Sequence, residues 1–282
     1  MENQPEEKPS ALVSVASAND VTILADKDHG DPAIAAHLES QLPALKAAGV
    51  KHLYLEHDAA DTTVAEITAI DDSYGRMVAA AQQQGFEIHF YDDRSNERAR
   101  DAAFPVEAKY VRDHDVYFND TDALIAGAPD PQRMRDYIDA RIAFENQPNS
   151  RNPAMIANLD RDLSANPGEK AVVVLGAWHA EQRNDVDEGL RERGHQVSTI
   201  EVKSENSAVM GRGKDVPDFI ARTETGQAIT YKANPADEHM RRIMEGVELP
   251  WRNTEPVADM QAGQAVAPAA APQQAPDAGR QR

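Results

Sequence analysis

Short apolar runs alternate along the chain with longer segments in which apolar residues recur every three or four positions. VTILA (21–25), KHLYLE (51–56), FEIHFYD (86–92), AVVVLG (171–176) and QVSTIEV (196–202) read as strands. The segment PAIAAHLESQLPALKAAG (32–49) places Ile34, Leu38, Leu42 and Leu45 on one helical face. Asp31 is its natural N-cap, Pro32 suits its first position and Gly49 its end, and Pro43 is expected to bend it. Further helical patterns cover 73–85, 131–146, 153–166 and 179–194. Strands separated by helices and glycine-stopped turns predict an α/β fold, with a mainly parallel sheet flanked by helices.

The periodic core is expected over 19–202. Residues 1–18 lack periodicity and read as a disordered tail. The polar stretch 93–129 is too long for an ordinary connection and reads as an insertion with some helix, either a lid or inert. Residues 203–254 are polar and irregular, with one helix expected near 236–247. The Ala/Pro/Gln-rich end, 255–282, has the composition of a disordered tail.

Composition then narrows the chemistry. A net charge of −19 repels phosphate backbones, so nucleic acid is not an expected partner. The chain has no cysteine, which excludes disulfides, thiolate metal sites and cysteine nucleophiles. No apolar run approaches the roughly 20 residues that span a bilayer. The acidic start has no Sec-type pattern, so the expectation is a soluble protein, cytoplasmic or secreted without a cleaved signal peptide. Neither a G-x-G-x-x-G turn after a strand nor a P-loop lysine motif occurs.

Ligands of open α/β sheets bind beyond the carboxyl ends of the strands. The first strand ends in Asp26, Lys27, Asp28 and His29, and the second in Glu56, His57 and Asp58. The third ends in Asp92, Asp93 and Arg94, and AVVVLG runs into Trp178 and His179. Histidine with carboxylate oxygens suits a divalent metal such as Mn, Co or Zn, and equally suits metal-free acid/base catalysis. His29, Glu56 and His179 are the candidate metal ligands. Asn152 before Pro153 is a good N-cap, and Arg151 would project from that helix N-terminus, where it could hold an anion.

The segments ILADKDHGDPAI, LKAAGVKHLYLEHD, RNPAMIANL and VVVLGAWHAE stand in an order that resembles the Tiki/TraB, erythromycin-esterase and ChaN-like superfamily. The closest likeness is to the membrane-targeted effector domain of bacterial toxins, and it covers roughly residues 20–201. The resemblance implies a site built from Asp26, His29, Glu56, Arg151 with Asn152, and Gly176 with His179. Ala25 and Asp26 stand where that group has Gly-Glu, which shortens the carboxylate's reach by about 1.5 Å.

The resemblance implies a hydrolase-like toxin or secreted-effector domain acting on a small-molecule or peptide substrate. In it His29 would activate water as base or ligand, Glu56 and Asp26 would orient it, and Arg151 and His179 would stabilise an oxyanion. Asn152, Asp28, Trp178 and Arg94 would contact substrate. Two alternatives stand beside this reading. One is a haem or small-anion binding protein, with His29, His179, Tyr54 or Tyr91 as axial ligand. The other is a catalytically degenerate interaction protein with a host or target-cell protein partner.

Overall fold

The computed structural model describes residues 11–27, 31–114, 121–145, 151–180, 185–204, 218–222 and 228–233. Its centre is a seven-stranded sheet formed by β1 (Val21–Asp26), β2 (Val50–Asp58), β3 (Glu87–Asp92), β4 (Lys170–Gly176), β5 (Val197–Ser204), β6 (Asp218–Arg222) and β7 (Ala228–Ala233). The order is β3-β2-β4-β1-β5-β7-β6. The five strands from β3 to β5 are parallel, whereas β7 and β6 add antiparallel pairs at one edge. The structure is therefore of the α/β class, with helices on both faces of the parallel sheet.

Strict alternation along β1 and β4 explains why these strands are apolar on both faces. Leu24, Val172 and Val174 point into one core with α1 (Ala11–Ala18), α2 (Pro32–Ala47) and α4 (Ser73–Gln83). Ile23, Ala25, Val173 and Leu175 point into the other with α9 (Asn152–Ala165) and α10 (Val186–Glu192). Between α2 and α4 in the chain lies the short α3 (Val64–Thr68), closed by a Thr63–Glu66 capping box.

Asp31 caps α2 by accepting from the Ala33 amide at 2.8 Å, and Ser204 at the end of β5 donates to its other oxygen. The helix is assigned as one continuous element through Pro43, whose ring faces solvent.

The segment expected as an N-terminal tail is helical from Ala11 to Ala18, and Leu12, Val13, Val15 and Ala16 are buried against the sheet. The polar insertion is built from α5 (Ser95–Ala103), α6 (Pro105–His114) and α7 (Thr121–Gly127), followed by α8 (Pro131–Glu145). These helices enclose a small core of their own around Leu124, Met134, Tyr137 and Ile138. The region expected to be irregular after 203 supplies β6 and β7, with Ile229 and Tyr231 fully buried. The helix expected near 236–247 lies outside the described residues.

Two positions test this packing. A methyl group on Gly75 would lie 2.2 Å from the Ile70 carbonyl oxygen. Gly75→Ala should therefore cost about 1–3 kcal/mol in denaturant unfolding. His37 is buried beside Tyr231, and burial lowers its pKa from 6.5 to about 4. The folded form holds this ring neutral while the unfolded chain protonates it, so its contribution is full above pH 6.5 and is lost as pH falls toward 4. Urea unfolding at about pH 7 and about pH 5 should show wild type losing about 2 kcal/mol more than His37→Leu.

Candidate functional site

Four parallel strands bring their carboxyl ends to one rim. Asp26 ends β1 directly opposite Gly176, the last residue of β4. β2 and β3 lose simple register between Leu55 and Asp58, so that one extra residue of β2 is accommodated beside the end of β3. A bulge of this kind re-aims the side chains at a strand end. Glu56 lies within it. Its Oε2 accepts from the Gly176 amide at 2.6 Å, which fixes the carboxylate against β4.

Arg151 is the hub. Its Nη1 donates to Asp92 Oδ2, while its Nη2 stands 3.1 Å from Glu56 Oε1 and 2.9 Å from His179 Nε2. The Asp92 side chain has no exposed surface, and the same oxygen also accepts from Arg94 Nε at 2.9 Å. Its Oδ1 accepts from the Asp93 amide at 2.8 Å. Glu56 and Asp92 carry two negative charges and Arg94 and Arg151 two positive ones, so this core of the site is neutral in sum. Burial works against the Arg94 charge, but the Asp92 carboxylate outweighs it and raises the guanidinium above its usual range.

His179 sits on a 3₁₀ turn, Ala177–Ala180, that follows β4. Its Nδ1 lies 2.5 Å from Asn152 Oδ1, and its Nε2 is also 3.4 Å from Glu56 Oε1. An arginine can only donate, so Nε2 is the accepting nitrogen in this arrangement. The ring proton then belongs on Nδ1, in agreement with the amide oxygen that faces it. In these bonds His179 is a neutral imidazole whose basic nitrogen is turned into the site.

This geometry revises two local expectations. Asn152 does not cap α9: it is the first helical residue, Arg151 occupies the cap position, and the Asn152 amide orients His179 instead. Arg151 is occupied by two carboxylates rather than standing free for an anion.

The structure thus brings together Glu56, Arg151, Asn152, His179 and Arg94. Trp178 is 73% exposed on the turn beside them. Asp26 reaches the site electrostatically. Burial, followed by the Glu56 and Asp26 carboxylates, pushes the Tyr74 phenol well up, so Tyr74 stays protonated. Asp28 and His29 lie outside the described residues.

Asp92 and Tyr74 were not among the expected site residues. Asp92 does sit at a strand end, and that position was the available signal. Tyr74, on a helix, gave none. Of the expected haem ligands, Tyr54 and Tyr91 are fully buried, and the Tyr91 hydroxyl donates to the Val174 carbonyl at 2.8 Å. Among the described residues, no three metal-ligating groups converge around Glu56 and His179.

No protein-family model and no curated protein matches the chain. Among the solved structures that are similar to it at low level are three of bacterial effectors and toxins. The type III effector HopBA1 aligns at 20% identity and a TM-score of 0.37, over 61% of this chain and 76% of its own. RRSP, a MARTX toxin effector domain from Vibrio vulnificus, aligns at 14% and 0.38, over 82% of this chain and 39% of its own. A structure described as bacterial protein toxins aligns at 13% and 0.37, over 69% and 36% respectively.

The ion-pair hub predicts a large stability effect. Arg151→Met leaves Glu56 and Asp92 buried without their shared cation, and urea unfolding near neutral pH should show a loss of about 3–5 kcal/mol.

Proposed function

We propose that the carboxyl-end rim is a hydrolytic site in a toxin or secreted-effector domain of the Tiki/erythromycin-esterase type. The observation that carries the chemistry is the placement of His179 Nε2 against both the Arg151 guanidinium and the Glu56 carboxylate. The effector context rests on the order of the sequence motifs.

A carbonyl substrate would enter over the exposed Trp178 and draw the Arg151 Nη2 hydrogen bond onto its oxygen. That releases His179 Nε2. Water then adds through its oxygen to the carbonyl carbon while Nε2 takes the water proton. Glu56 Oε1 stabilises the imidazolium, and Arg151 stabilises the oxyanion. Collapse of the intermediate breaks the bond to the leaving group, which receives the proton back from Nε2.

Asn152 holds the ring in the competent tautomer throughout. Asp92 and Arg94 keep Arg151 in place. Asp26 extends the acidic wall toward Tyr74. His29 remains assigned by its motif as a second base or ligand, with Asp28 beside it. A small-molecule or peptide acyl compound is the substrate class this arrangement suits.

Turnover should be measured on a panel of chromogenic acyl esters and peptides, with Glu56→Gln and His179→Gln alongside. Each variant should keep the wild-type circular dichroism spectrum and lose at least about 100-fold in kcat/KM. Wild-type protein that hydrolyses no member of the panel, or variants with unchanged turnover, would overturn the proposal.

A further inference from the structure

The opposite rim of the sheet holds a second cluster that the hydrolytic reading does not use. His52 and Glu87 are register partners on β2 and β3, and Tyr54 and His89 are the pair two residues further on. Side chains alternate along strands, so all four project from the same face. Tyr54 is fully buried there, and its ring stacks on His89 with 4.6 Å between centroids, which fixes that imidazole. Glu169, just before β4, completes the group.

The distances define a donor set. His52 Nδ1 lies 3.1 Å from His89 Nε2 and 3.6 Å from Glu87 Oε2. All three atoms fall within 4.8 Å of one another. Ligand atoms about 2.0–2.1 Å from a tetrahedral zinc stand about 3.3–3.4 Å apart. The two nitrogens and one oxygen are thus close to the edges of a tetrahedron, and a small turn of the exposed Glu87 carboxylate completes three of its corners.

The other side of His52 points the same way. Its Nε2 is 2.7 Å from Glu169 Oε2, and a carboxylate there accepts the Nε2 proton. That leaves the Nδ1 lone pair aimed at His89, whose Nε2 donates to it where no ion takes its place. A carboxylate behind a ligating imidazole is the usual means of fixing a metal-binding tautomer. Lys51 binds the second oxygen of Glu169 and holds the carboxylate in position.

From this geometry we infer a second site, at the amino ends of β2 and β3, that binds a divalent transition-metal cation of the zinc class. His52 Nδ1, His89 Nε2 and Glu87 are its ligands, and Glu169 is the residue that positions His52. Glu87 is 66% exposed at its side chain, so the fourth position opens to water. His52 and Glu56 are four positions apart on β2, about 13 Å along the strand. The ion therefore takes no part in the chemistry at the carboxyl rim, and clamps β2 to β3 at the sheet edge.

The test is calorimetric titration of the chelator-treated full chain with zinc chloride, with cobalt chloride as a spectroscopic probe. One equivalent should bind, and cobalt should develop the intense visible absorption of tetrahedral coordination. Glu87→Gln and His89→Gln should each weaken zinc at least about tenfold, and Glu169→Gln about 10- to 100-fold with stoichiometry retained. Glu56→Gln should keep wild-type zinc affinity whether or not the chain hydrolyses anything. Absence of saturable binding, equal affinity in Glu87→Gln and His89→Gln, or loss of the ion in Glu56→Gln would each overturn the assignment.

Discussion

A carboxylate whose side chain has no exposed surface sets the central constraint. Asp92 cannot keep its charge away from water without cations beside it, and Arg151 and Arg94 supply them. Arg151 can do so only if α9 begins where β2, β3 and the turn after β4 converge. Met155, Ile156, Leu159 and Leu163 hold α9 there by burying its apolar face in the sheet. Apolar packing thus fixes the helix, the helix fixes the guanidinium, and the guanidinium fixes Glu56 and His179.

The internal pairing has a functional consequence. Two carboxylates and two guanidinium groups cancel, so the hub around Arg151 is not itself a concentration of the chain's negative charge. A neutral histidine is at home in such a site, and its basic nitrogen is held by a hydrogen bond that an incoming oxygen can take over. The amino-end rim is organised differently. There two imidazoles face each other with a carboxylate at either side, and no arginine hydrogen-bonds either ring among the described residues. One rim ties its acids to arginines, whereas the other sets imidazole nitrogens beside carboxylate oxygens.

Strand and helix identities in the parallel part of the sheet were legible because alternation on β1 and β4 and the spacing of Ile34, Leu38, Leu42 and Leu45 are local properties. The strand ends were legible for the same reason, and they pointed to Glu56 and to the residues after β4. Other elements were not. Residues 11–18 are small and apolar with weak periodicity, and they become a helix by packing on the sheet. β6 and β7 are short, and they form because β5 presents an open edge to pair with.

What the sequence determined by itself was the strands and main helices of the parallel core, the acidic character without thiols, and the reactive residue types delivered at the strand ends. Those follow from neighbours within a few positions. Tertiary structure decided the partners. It assigned Arg151 to Asp92 and Glu56, turned Asn152 from a helix cap into a support for His179, and placed Tyr74 against the acids. It also set His52 beside His89, 37 positions away. Such pairings depend on strand order and on a one-residue shift in register, and neither is written in any local stretch of the chain.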